Sequence, residues 1–95
     1  MAKDYKTTLR SVNDEAVRLL DEHFYDEIVG RLKESGFVQD GRPTILEYSG
    51  SKTKIIYDFL ETEPFRVEFN ENSPEARTEA ERALRNVLEV MLTSI

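Results

Sequence analysis

Between residues 44 and 70 the chain alternates apolar and polar residues in three short runs, Thr44–Ser49, Thr53–Leu60 and Phe65–Asn70. Period-two alternation puts every second side chain on one face of a strand, and short breaks between runs allow only antiparallel connections. The pattern predicts a three-stranded meander, and it also suggests a register. Pairing Tyr48 with Thr53 sets Leu46 against Ile55, Thr44 against Tyr57 and Glu47 against Lys54. Pairing Phe59 with Phe65 sets Tyr57 against Val67, Ile55 against Phe69 and Asp58 against Arg66. Both hairpins then gather apolar residues on one face and opposite charges on the other, and a slip of one residue loses both matches. The inner face is Leu46, Tyr48, Ile55, Tyr57, Phe59, Phe65, Val67 and Phe69. Gly50 suits the first central position of a two-residue turn between Ser49 and Lys52.

Helical signals flank the meander. Asn13 reads as an N-cap, with Asp14 and Glu15 at the positive end of the helix dipole and Val12 with Val17 as a hydrophobic staple. From there Ala16, Leu19, Leu20, Phe24, Ile28 and Leu32 recur at helical spacing, and Ser35-Gly36 supplies a stop. Residues 7–12 read either as an extra helical turn or as a short strand. Residues 37–39, before the turn signal Asp40-Gly41 and Pro43, are a short edge strand or a packed loop. A second helix opens with Ser73 as N-cap, Pro74 at the first helical position and Glu75 in the first turn. Its buried stripe is Ala76, Ala80, Ala83, Leu84, Val87 and Met91, and Glu81 with Arg85 forms an i,i+4 pair. The expected fold class is α+β in the order α-β-β-β-α, with both helices on one face of the sheet. Residues 13–95 are one domain, preceded by an arm or helix extension over 1–12.

The chain has 95 residues, enough for one core but not a large one. Its formal net charge of −6 tells against non-specific binding to nucleic acid or to anionic membranes. Residues 13–35 carry most of that charge. No cysteine is present, so disulfides, thiol chemistry and cysteine-ligated metals are excluded. No apolar run is long enough to span a bilayer, and Met1–Lys6 has no signal-peptide core, so a cytoplasmic location is expected.

No residue set points to catalysis or to a cofactor. His23 is the sole histidine, and with Glu27 it could share a helix face. One histidine without cysteine is a poor metal set, however, and the position reads as a boundary residue. Glu15, Glu22 and Asp26 fall on one side of the first predicted helix, beside Asp14 and Asp21. Such a column either keeps the chain soluble or imitates a phosphate backbone.

The order helix, three strands, helix over residues 13–92 resembles the double-stranded-RNA-binding domain. That family grips phosphates with lysines at the start of its last helix. Here the matching stretch, Ser73-Pro74-Glu75-Ala76-Arg77-Thr78-Glu79-Ala80-Glu81, is mostly acidic, and Ser49-Gly50-Ser51-Lys52 is too short for the family's minor-groove loop. The resemblance covers topology and does not carry the function.

Protein–protein contact is the leading expectation. Ile45 and Ile56 read as an apolar pair at the centre of charged residues on the outer sheet face, a small core with a polar rim. Leu88, Val90, Leu92 and Ile95 make the end of the last helix apolar almost all round, which favours burial against something. The expected function is therefore a non-catalytic interaction or regulatory domain acting on a protein partner or on itself as a homodimer. An acidic inhibitor of a nucleic-acid-handling protein is the second reading, through Glu15, Glu22 and Asp26. A small enzyme or ligand-binding domain is the third.

Overall fold

The structure, a computed structural model, describes residues 5–21 and 25–93. Three helices and four strands follow in the order α1 (Tyr5–Asp21), α2 (Tyr25–Glu34), β1 (Val38–Gln39), β2 (Ile45–Ser49), β3 (Thr53–Asp58), β4 (Phe65–Phe69) and α3 (Pro74–Thr93). The strands form one antiparallel sheet in sequential order. The helices form one layer over it. α3 crosses β3 and β4, α1 lies against α3 and β4, and α2 packs on α3. One core joins Val12, Ala16 and Leu19 of α1, Ile28 and Leu32 of α2 and Leu84, Val87 and Met91 of α3 to Leu46, Ile55, Tyr57 and Phe65 of the sheet. The α+β class and the meander are as expected. The residues at 37–39 do contribute an edge strand, β1, paired through Val38 with Glu47 and Gln39 with Leu46.

The faces were legible, but both hairpin registers differ from expectation by two positions. In β2–β3, Tyr48 faces Ile55, Leu46 faces Tyr57, Glu47 faces Ile56 and Ser49 faces Lys54. In β3–β4, Tyr57 faces Phe65, Ile55 faces Val67, Ile56 faces Arg66 and Thr53 faces Phe69. A shift of two keeps each side chain on its own face, so the inner set survives. Two local structures cause the shift. In the first hairpin the Gly50 N–H donates to the Thr53 carbonyl (2.8 Å), so the turn residues are Ser51 and Lys52, not Gly50 and Ser51. In the second, Asp58 N–H donates to the Pro64 carbonyl (2.8 Å), and Phe59 leaves the strand for the loop.

The expected helix over 13–35 is also corrected. It begins earlier, at Tyr5, and its residues are divided between α1 and α2. Residues 7–12 are helical because Val12 and Thr8 continue the buried stripe one and two turns back from Ala16. Asn13 is thus not a cap but an interior helical residue. It is buried, and its carboxamide accepts the Phe65 N–H (2.7 Å) and donates to the Phe65 carbonyl (3.3 Å). Phe24 of the expected stripe lies outside the described residues.

α2 ends as its sequence suggests. Phe37 N–H reaches the Leu32 carbonyl (3.1 Å), Gly36 N–H reaches the Lys33 carbonyl (3.2 Å), and Gly36 holds φ +104. This is a Schellman stop, with a left-handed residue that glycine alone adopts cheaply. α3 starts as expected, its Ala76 N–H bonded to Ser73 Oγ (3.2 Å), and its stripe Ala76, Ala80, Leu84, Val87 and Met91 is buried. Glu81 and Arg85 pair at 2.8 Å. The Asp40-Gly41 turn is longer than a two-residue hairpin. Asp40 N–H bonds the Ile45 carbonyl, which leaves 41–44 as the loop and puts Pro43 outside the strands.

Helix direction follows from three contacts. The Tyr5 ring meets Phe69 edge-on at 4.8 Å, its hydroxyl donates to Glu71 (2.6 Å), and Asn13 holds Phe65. α1 therefore runs opposite to β4. α3 turns back over β4 through residues 70–73, so α1 and α3 are parallel, and their C-terminal halves point to the end of the sheet that carries the β3–β4 loop.

Candidate interaction surface

Polar chemistry concentrates at the opposite end, around Glu79. Its carboxylate accepts the Ser51 hydroxyl (2.6 Å), the Lys52 N–H (3.0 Å) and the Thr53 hydroxyl (3.1 Å). Ser51 and the backbone of Lys52 hold the Glu79 carboxyl down at about 2. Lys52 Nζ pairs with Glu75 at 2.9 Å, and that hydrogen bond raises the lysine's pKa. The β2–β3 turn is thus fastened to the first half of α3 by two carboxylates. These stand where a double-stranded-RNA-binding domain carries lysines, and they face inward onto the turn. The carboxylate comes so close that a Cβ on Gly50 would collide with Glu79 Oε1.

The aromatic residues form core structure. Tyr57 stacks on Phe65 (4.5 Å), Phe59 lies between Tyr57 (5.6 Å) and Tyr25 (4.6 Å), and Phe37 touches Phe65 and Tyr48. Burial pushes the Tyr57 hydroxyl well above the usual phenol range, with Tyr25 adding to it. That hydroxyl has no hydrogen-bond partner among the described residues. Burial and then Asp26 raise Tyr25. A cleft of about 60 Å³ opens between Phe37, Tyr48, Ala83 and Val87, with Ser35 and Asn86 on its rim. It is well below the few hundred cubic ångströms of an ordinary small-molecule site. Among the described residues no group of three or more His, Asp or Glu side chains is placed to hold a metal. No helix among them is long and apolar enough to cross a membrane.

The expected contact residues fare differently. Ile45 and Ile56 are both buried and do not face one another. With the register shifted, Ile45 faces Asp58, and Ile56 stands between Glu47 and Arg66. Lys54 reaches Glu47 (3.5 Å) across the same face, so charged side chains with long stems surround Ile56. There is no exposed isoleucine pair. Leu88 is half-buried against the core, Leu92 is 50% exposed, and Ile95 lies outside the described residues. The acidic column is not continuous. Glu15 is on α1 and bonded by Arg18 (3.0 Å), Asp26 is in the first turn of α2, and Glu22 and His23 lie outside the described residues.

Exposed apolar residues that sequence reasoning passed over are Leu60 (75%), Val38 (67%) and Val17. Leu60 carried a signal. It sits in the Pro-containing loop between two strands, where no core face awaits it. Leu60, Leu92 and Val17 all lie toward the end of the molecule to which α1 and α3 run. The ion-paired turn around Glu79 lies at the other end.

Comparison with protein-family models, with curated proteins and with solved structures finds no match to this chain.

Proposed function

We propose that the chain is a non-catalytic protein-interaction domain that pairs with a second copy of itself through the C-terminal half of α3. The observation that carries this reading is Leu92. It stands half-exposed in the stretch Val87–Thr93, where Glu89 is the single charged residue. An amphipathic helix bordering solvent normally alternates its apolar stripe with a charged face. Here Leu92 interrupts the exposed face of Arg85, Asn86, Glu89 and Thr93, beside the half-buried Leu88 and Val90. Val17, on the parallel helix α1, extends apolar surface toward the same end. The net charge of −6 opposes a nucleic-acid partner.

Light scattering over a range of concentrations tests it. A mass approaching twice 11.0 kDa as concentration rises is expected, and Leu92→Glu should return the mass to that of one chain while the chain stays folded. A single chain at every concentration removes the homodimer. A dimer that survives Leu92→Glu moves the contact away from α3.

A further inference from the structure

The loop from Asp58 to Pro64 combines features that an ordinary surface loop does not need. Its large apolar residue Leu60 is 75% exposed, the most exposed large hydrophobic among the described residues. The backbone that carries Leu60 is held in place from several sides. Leu60 N–H donates to Asp58 Oδ1 (3.2 Å), Glu61 N–H to the Asp58 carbonyl (3.2 Å), and Phe59 N–H to the Thr44 carbonyl of the neighbouring loop (3.4 Å). Phe59 is anchored between Tyr57 and Tyr25 on one side, and Pro64 and Phe65 are buried on the other. The leucine is therefore displayed on a fixed frame, and little ordering entropy remains to be lost on binding.

The charge around it is one-sided, and it comes from two separate segments. Glu61 and Glu63 follow Leu60 in the loop. The Tyr25–Phe59 edge contact brings the first turn of α2, with exposed Asp26 and Glu27, alongside. Against these five acids, counting Asp58, stand two described cations: Arg31, which pairs with Glu27 at 3.9 Å, and Arg66, which shares an open hollow with Glu61 and Glu63. A single apolar side chain inside an acidic rim calls for the complementary surface, an apolar pocket rimmed by positive charge.

We propose that the β3–β4 loop is a docking element for a second, different protein, with Leu60 entering an apolar pocket bordered by Lys or Arg side chains. The proposal does not depend on self-association through α3, and Leu92→Glu should leave it unchanged.

The test uses the full chain as bait against extract of its native host, with Leu60→p-benzoylphenylalanine as a photo-crosslinking form. The expected crosslink falls on an apolar residue of another protein with Lys or Arg around it. Leu60→Ser and Glu61→Lys/Glu63→Lys should each weaken capture of that protein by about tenfold or more. Raised salt should weaken it further, and Glu34→Lys, on a remote part of α2, should leave it unchanged. Leu60 is mostly exposed, so Leu60→Ser should unfold at the wild-type temperature and the comparison stays valid. A crosslink to a second copy of this chain overturns the proposal, as does a crosslinked site without cations, capture that ignores both variants, or no crosslink at all.

Discussion

The carboxamide of Asn13 pairs with both the N–H and the C=O of Phe65, so a helix side chain closes the open edge of the sheet at β4. Phe65 is one of the β4 residues whose two backbone groups point away from β3, and it is buried. An unpaired edge there would leave two polar groups without water. Asn suits this place because its amide carries a donor and an acceptor side by side, as a neighbouring strand would. Asn13→Ala should therefore cost about 2–4 kcal/mol, the range for stranding two buried backbone groups. Asn13→Asp keeps the acceptor and loses the donor. It should be destabilising at neutral pH and closer to wild type in acid, where the protonated carboxyl donates again. Urea denaturation of both variants at two pH values measures this.

The Glu79 contacts predict a pH dependence with a definite sign. The folded carboxyl is held at about 2, below its unfolded value of 4.5. A depressed acid contributes stability that is complete above the unfolded value and is lost as pH falls toward the folded one. Thermal unfolding should accordingly show a loss between about pH 4.5 and 2 that Glu79→Gln flattens. Gly50 is coupled to the same group, because its Cβ would occupy the carboxylate's position. Gly50→Ala should destabilise the wild type but have little effect in a Glu79→Ala background. The double-mutant cycle should be strongly non-additive, and simple additivity would mean that the turn is not held by Glu79.

Two glycines, one inside α2 and one in its C-terminal stop, should respond oppositely to alanine. Gly30 lies in α2, exposed, with nothing within 4 Å of a built Cβ. Gly30→Ala should stabilise by roughly 0.5–1 kcal/mol, through helix propensity and a less disordered unfolded chain. Gly36 sits at φ +104 in the stop of the same helix. Gly36→Ala should cost about 1–2 kcal/mol because the left-handed conformation brings Cβ against the carbonyl. The melting temperatures should separate by several degrees in opposite directions, as expected of a domain this small.

These residues also show what the sequence could convey. Face parity was legible because a period of two survives any even slip. Register was not, since the turn that sets it is clasped by Glu79, 26 residues beyond Thr53, and no local rule contains that contact. The start of α3 was legible, since Ser73 and Pro74 act on their own neighbours. The start of α1 was not, because the features that make Asn a good N-cap also suit it to seal a strand 52 residues away. Ile45 and Ile56 alternated correctly onto the outer face, yet their burial depends on side chains brought in by the true register. The exposure of Leu92 was legible because it falls outside the buried stripe of its own helix. Leu60 was passed over although its place in a Pro-containing loop marked it, because periodicity, the signal followed elsewhere, does not extend to loops.

Tyr57 offers a final check on the core. Its ring is fully buried against Phe59 and Phe65, while its hydroxyl has no partner among the described residues. A buried hydroxyl without a hydrogen bond costs about 1–3 kcal/mol relative to its solvated state. Tyr57→Phe removes that group and keeps the ring, so it should be neutral or stabilising by up to about 1 kcal/mol. The same residue sets alkaline behaviour. Its ionisation is pushed well above the unfolded value of 10.0 by burial, then by Tyr25. Such a group contributes stability below the unfolded value, and this is lost as pH rises beyond it, because only the unfolded chain can release the proton. Wild-type stability should thus fall above about pH 10, and Tyr57→Phe should fall less steeply. In a spectrophotometric titration of the folded protein, one tyrosine should remain protonated until the chain unfolds, and that delayed step should vanish in Tyr57→Phe. A Tyr57→Phe protein markedly less stable than wild type at neutral pH would mean that the hydroxyl has a bonding partner.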